Sequence, residues 1–159
     1  MKPFSLTLPL ALGTALGLVA AVVAGPADAY TNPHNTIVET IQDSGYRIYG
    51  EHTECTKDQG LKGFMNPMSR VFVVCFENAA TATEIYTTIR HEAIHVAQLC
   101  KGGLLFPQDV ELNLSRAQDE GWDILGYPTS HWEVEAEARV MANEWDAHEV
   151  NAAIRKFCF

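Results

Sequence analysis

Basic side chains are scarce in this 159-residue sequence: 11 Lys and Arg stand against 20 Asp and Glu, a formal net charge of −9 with His neutral. Phosphate backbones and anionic lipid surfaces are bound by clustered cations, so this balance excludes nucleic acid and an anionic membrane surface as expected partners. No internal repeat and no low-complexity tract follows residue 30, which sets aside solenoid architectures and disordered linkers. Four cysteines are present, Cys55, Cys75, Cys100 and Cys158, and no two of them form a C-x-x-C pair. A cysteine-based zinc site is therefore not expected.

A long apolar run occurs once, from Leu6 to Ala24 behind Met1-Lys2, and it is followed by Gly25-Pro26-Ala27-Asp28-Ala29. The small residues Ala27 and Ala29 form the pattern that a signal peptidase cuts after, so residues 1–29 read as a secretory signal and residues 30–159 as a single domain. The competing reading is a retained anchor. Pro9, Gly13, Gly17 and Pro26 make the run a poor spanning helix, and no Cys directly follows it to accept a lipid. No stable membrane insertion is expected after cleavage, and the chain is placed as secreted or periplasmic. Losing Lys2 with Asp28 leaves the charge at −9.

An even number of cysteines in an exported chain of this size implies two disulfides, for which three connectivities exist. We assign Cys55–Cys75, closing the segment before the central helix, and Cys100–Cys158, tying the end of that helix to the penultimate residue. Each would stabilise the fold by about 3 kcal/mol through constraint of the unfolded chain.

Short strands are expected ahead of that helix. Tyr46-Arg47-Ile48-Tyr49 alternates after Ser44-Gly45, and Arg70 to Phe76 is rich in β-branched and aromatic residues. Asp58-Gln59-Gly60 and Met65-Asn66-Pro67-Met68 read as turns around a weaker strand at Leu61 to Phe64. The expected class is α+β, a small antiparallel sheet packed on the central helix with two or three further helices behind it.

The central helix is predicted from about Thr83 to Lys101. Ile85, Ile89, Val96 and Leu99 recur at helical spacing, Thr81 and Thr83 offer N-caps, and Lys101-Gly102-Gly103 supplies a cationic last turn with a glycine stop. In its middle stands His91-Glu92-Ala93-Ile94-His95, an H-E-x-x-H zinc motif. Four residues advance a helix by about one turn, so His91 and His95 share a face and can both hold Zn2+, with Glu92 beside them as general base. Farther along, Pro107 to Ala117 is moderately helical and Gly121 to Pro128 reads as a loop. Ser130 and Glu133 suggest a capping box opening a helix from His131 to Trp145, with Val134, Ala138, Met141 and Trp145 on one face. A last helix runs from Asp146, its cap, through Phe157.

Two histidines need at least one further protein ligand, and the candidates lie in Trp132-Glu133-Val134-Glu135-Ala136-Glu137-Ala138. Glu133 is used by the capping box. Glu137 lies on the side shared by Glu133 and Glu144, which reads as a solvated acidic face. Glu135 has Ala138 and Arg139 one turn on and Ala142 at i+7, small neighbours that let the helix come close to the motif. Glu135 is therefore chosen as third ligand, with Glu137 second.

A strand, then a helix bearing R-H-E-A-I-H-V-A-Q, then a later helix with E-x-E-A resembles the gluzincin type of zincin metallopeptidase. The likeness spans roughly Arg70 to Ala142. It departs from the metzincin pattern, since Gln98 and Lys101 stand where that pattern has Gly and His, and His148 stands where a thermolysin-like Asp would be. A small, minimal member is the description that fits. The resemblance implies that His91, His95 and Glu135 are metal ligands and Glu92 the catalytic base of an exported zinc-dependent peptidase acting on a peptide or protein substrate. Tyr127, His131 and His148 are the candidates for stabilising an oxyanion. The alternative is a non-catalytic zinc-binding or protein-binding exported module.

Overall fold

A computed structural model of the chain describes residues 32–121 and 127–159. The signal segment and its cleavage site, and most of the Gly121 to Pro128 loop, lie outside the described residues. The class is α+β, as expected. In chain order the elements are α1 (Pro33–Asp43), β1 (Arg47–Tyr49), α2 (Thr53–Lys57), β2 (Gly63–Asn66), β3 (Val71–Val74), α3 (Ala82–Lys101), α4 (Val110–Asp119), α5 (Trp132–Glu144) and α6 (Ala147–Cys158), with short 3-10 turns at Phe76–Asn78, Pro107–Asp109 and Thr129–His131.

The sheet has the order β1-β3-β2. β2 and β3 form an antiparallel pair with Phe64 opposite Val73, but β1 runs parallel to β3 with Ile48 opposite Phe72. The sheet is thus mixed, where an antiparallel one was expected. β3, the most apolar strand, is buried along its whole length and takes the centre, so both flanking strands pair with it and not with each other. The chain reverses direction once through α2, between β1 and β2, and once more in the turn between β2 and β3, which brings β3 back parallel to β1.

α3 is the axis of the domain. Thr81 accepts from the Glu84 N–H at its start, and Gly102 ends it at φ 82°, a left-handed conformation that glycine adopts without strain. Ala93, Ile94, Val96 and Ala97 bury one side of α3 in a core shared with Phe72, Val74, Ile37, Ile41, Val150 and Ile154. Helices α1, α5 and α6 pack directly on α3. Gly63 lets β2 approach it: a Cβ there would stand 2.6 Å from the Thr88 Cγ2 and 2.7 Å from the Val73 carbonyl oxygen.

α1 is not foreseen in the sequence reading. Asn32 accepts from the His34 N–H, Pro33 occupies the first turn, and Ile37 and Ile41 are its buried residues together with Thr40. The capping box expected at Ser130 is absent. Thr129–His131 make a 3-10 turn whose His131 N–H bonds to the Pro128 carbonyl at 2.8 Å, so Ser130 sits inside a tight turn and not in an extended N-cap. The capping box that forms is one helix later, where Asp146 accepts from the Glu149 N–H and the Glu149 side chain accepts from the Asp146 N–H. Both assigned disulfides are present, Cys55–Cys75 and Cys100–Cys158. The second joins the last turn of α3 to the last turn of α6. Among the described residues no helix is long and apolar enough to cross a membrane.

Candidate metal centre

His91 and His95 project from one face of α3, and α5 crosses that face. Ala138, packed in the core with α3, and Ala142 are fully or almost fully buried, which keeps the two helices close. Two α3 side chains fix the register: the Arg90 Nε donates to the Ala142 carbonyl at 2.7 Å and the Gln98 Nε2 donates to the Val134 carbonyl at 3.1 Å. Pairing of 90 with 142 and of 98 with 134 makes the helices antiparallel and sets Glu135 opposite the histidines. The His91 Nε2 lies 3.4 Å from the Glu135 Oε2, the His95 Nε2 lies 3.4 Å from the Glu135 Oε1, and the two Nε2 atoms are 3.1 Å apart. These three side chains form a group that could hold a metal ion. The Glu135 Oε2 is buried and accepts no hydrogen bond, an orphaned acceptor that a cation would satisfy.

Without a metal, the charged forms of Glu135 and His95 favour each other. Burial opposes ionisation of Glu135, yet the close approach of the His91 and His95 rings outweighs it and keeps the carboxyl well below the usual carboxylate range. Burial likewise works against a charged His95, but Glu135, Glu92 and Gln98 together raise its pKa. Glu135 and Glu92 thus favour positive charge at this position, whether a proton on His95 or a metal ion.

Behind His95 runs a buried chain of hydrogen bonds. The Gln98 Oε1 lies 2.8 Å from the His95 Nδ1, and the Gln98 Nε2 donates to the Glu137 Oε2 at 2.8 Å. Glu137 also accepts from the Leu105 N–H at 2.8 Å and the Phe106 N–H at 2.7 Å. With its amide nitrogen committed to Glu137 and Val134, Gln98 presents oxygen to His95, so the Nδ1 carries the proton and the Nε2 keeps its lone pair free to bind a cation. The solvated face expected for Glu137 is incorrect: Glu137 is 0 % exposed, while Glu133 and Glu144 are exposed. The segment after α3 folds over that side of α5 and covers it.

A cleft of about 470 Å³ opens beside the histidines, walled by Gly63 of the edge strand β2, by Thr88, His91 and Glu92 of α3, and by Tyr127 and Arg139. Glu92 is buried as a residue but accepts no hydrogen bond among the described residues, and it faces this space. Of the three oxyanion candidates only Tyr127 reaches the cleft. Burial, then the charge of Glu135, raises its phenol pKa, with Arg139 acting in the opposite direction. His131 and His148 are exposed at the starts of α5 and α6 and do not line it. Gln98, Glu137 and Arg139 are participants that sequence reasoning did not single out for these roles. The i+3 spacing of Gln98 from His95 was the one available signal.

No curated protein and no solved structure matches the chain significantly. A family model described as "Domain of unknown function (DUF8637)" matches residues 26–159, a span that contains every described residue. The chain belongs to that family.

Proposed function

We propose that this protein is an exported zinc-dependent peptidase of the gluzincin-like kind, with His91, His95 and Glu135 as ligands and Glu92 as general base. One observation carries the reading. Donor atoms about 2.1 Å from a tetrahedral zinc stand roughly 3.4 Å from one another, and the separations here are 3.1, 3.4 and 3.4 Å. Two neutral imidazoles and a carboxylate are a donor set suited to zinc, and three protein ligands leave a fourth position for chemistry.

Zinc supplies Lewis acidity, which polarises a peptide carbonyl and acidifies water. The chain's own residues do the rest. Glu92, next in sequence to a ligand and facing the cleft without a competing donor, takes the proton of the attacking water at its carboxylate and delivers it to the departing amine nitrogen. Tyr127 presents its phenolic O–H to the developing oxyanion; its raised pKa keeps that proton in place as a donor. β2, at the free edge of the sheet and bordering the same cleft, offers backbone groups to an extended peptide. Export is supported by two disulfides, which persist in oxidising compartments.

The test is zinc stoichiometry of the purified protein followed by digestion of a broad peptide library with and without chelator. One bound zinc and chelator-sensitive cleavage are expected. Zinc without cleavage points instead to a non-catalytic zinc-binding module, and a chain without metal to a protein-binding one.

A further inference from the structure

We propose that Arg139 is the carboxylate-binding residue of the cleft, and that the substrate presents either a chain-terminal carboxylate or an Asp or Glu side chain to it. Arg139 follows Glu135 by four residues on α5, so the two share a face of that helix, and Arg139 lines the cleft together with His91, Glu92 and Tyr127. Its Cζ stands 5.9 Å from the centre of the Tyr127 ring, which gives the guanidinium one flat support.

What it lacks, beyond the Tyr127 side chain, is an acidic partner. Among the described residues no carboxylate lies within ion-pair distance of Arg139, and its Nε is buried with no hydrogen-bond acceptor. Arg90 on the opposing helix shows the contrast. All three of its nitrogens are used, by the Ala142 carbonyl, His34 and the Thr87 hydroxyl, as in an arginine that serves the fold. Arg139 keeps its donors for something that enters the cleft. A guanidinium is a planar fork that matches a carboxylate with two parallel N–H···O bonds, and it cannot shed its charge. In a chain of net charge −9 an anion gains nothing from the overall field, so its recognition has to be this local.

The assignment rests on the peptidase reading for the nature of the substrate, and the experiment separates the two. Three short N-acetylated peptides are titrated by calorimetry into zinc-loaded Glu92→Gln protein, in which turnover is blocked: one apolar with a free carboxylate, one apolar and amidated, one amidated with an internal Glu. An acid-bearing peptide should bind about tenfold or more tighter than the amidated apolar one. Adding Arg139→Gln should erase that difference, and Arg139→Lys should restore part of it. Preference for the free acid alone assigns the chain terminus, and preference for the Glu peptide alone assigns a side chain. Equal or undetectable binding of all three, or discrimination that survives Arg139→Gln, overturns the proposal. Library hydrolysis by the parent protein is read in parallel. Hydrolysis without carboxylate discrimination removes Arg139 and keeps the peptidase, whereas discrimination without hydrolysis keeps Arg139 and removes the peptidase.

Discussion

The Gln98 Nε2 donates to the Glu137 Oε2 across 2.8 Å in a space closed to water, and this bond decides which atom Gln98 turns toward His95. Glu137→Gln keeps the volume but sets an amide donor among three existing donors, Gln98 and the backbone N–H groups of Leu105 and Phe106. We expect it to destabilise the metal-free protein by about 2 kcal/mol and to weaken zinc binding by about 10-fold to 100-fold, as losses behind a ligand do. Gln98→Ala should weaken zinc binding similarly. Thermal unfolding in chelator and zinc competition titrations check the two effects separately, and an unchanged zinc Kd in both variants contradicts the orienting role.

The helix bearing the motif was legible because its signals are local: Thr81 caps it, Gly102 stops it, and the apolar positions between them keep helical period. The grouping of His91, His95 and Glu135, which could hold a metal ion, was legible from similarly local signals, since one turn of helix puts His91 and His95 on one face and Glu135 has small neighbours on its own helix. The fate of Glu137 was not, because its side of α5 is polar by pattern and is covered only by the Leu105 and Phe106 segment, a tertiary event. The parallel pairing of β1 was hidden likewise, for a strand's own sequence does not state which neighbour it joins or in which direction. α1 carried a readable start at Asn32-Pro33, but its apolar stripe is thin, with Ile37 and Ile41 as its main buried residues.

Stability should depend on pH through His34. The Arg90 Nη1 lies 2.9 Å from the His34 Nε2, and a guanidinium only donates, so His34 accepts there and is neutral. Burial, then the Arg90 charge, lowers its pKa from the ordinary 6.5. The folded state therefore binds fewer protons than the unfolded one in the window just below that value. The contribution is present above pH 6.5 and is lost as pH falls toward the folded pKa. Urea unfolding at about pH 7.5 and about pH 5 should show the parent losing more stability than His34→Gln, which still accepts from Arg90 and does not titrate. Equal losses contradict it.

Cys100–Cys158 spans a sequence separation of 58 and holds the end of α3 against α6. Replacing both cysteines by Ser should cost about 4 kcal/mol by the chain-entropy estimate. The same change at Cys55 and Cys75, separated by 20, should cost less, about 3 kcal/mol. Denaturant midpoints of the two variants decide the order, and a larger loss at Cys55–Cys75 contradicts it.

The hydrolase assignment is tested most directly by the rate of peptide cleavage in Glu92→Gln relative to the parent at matched zinc content. Gln preserves the shape of the side chain but cannot accept the proton of the attacking water, and Glu92 is not among the three residues grouped at the candidate metal site. The account predicts that zinc stoichiometry and fold are retained while kcat/KM falls by about 10²-fold or more. A Glu92→Gln protein that holds the same zinc and cleaves at close to the parent rate would contradict it.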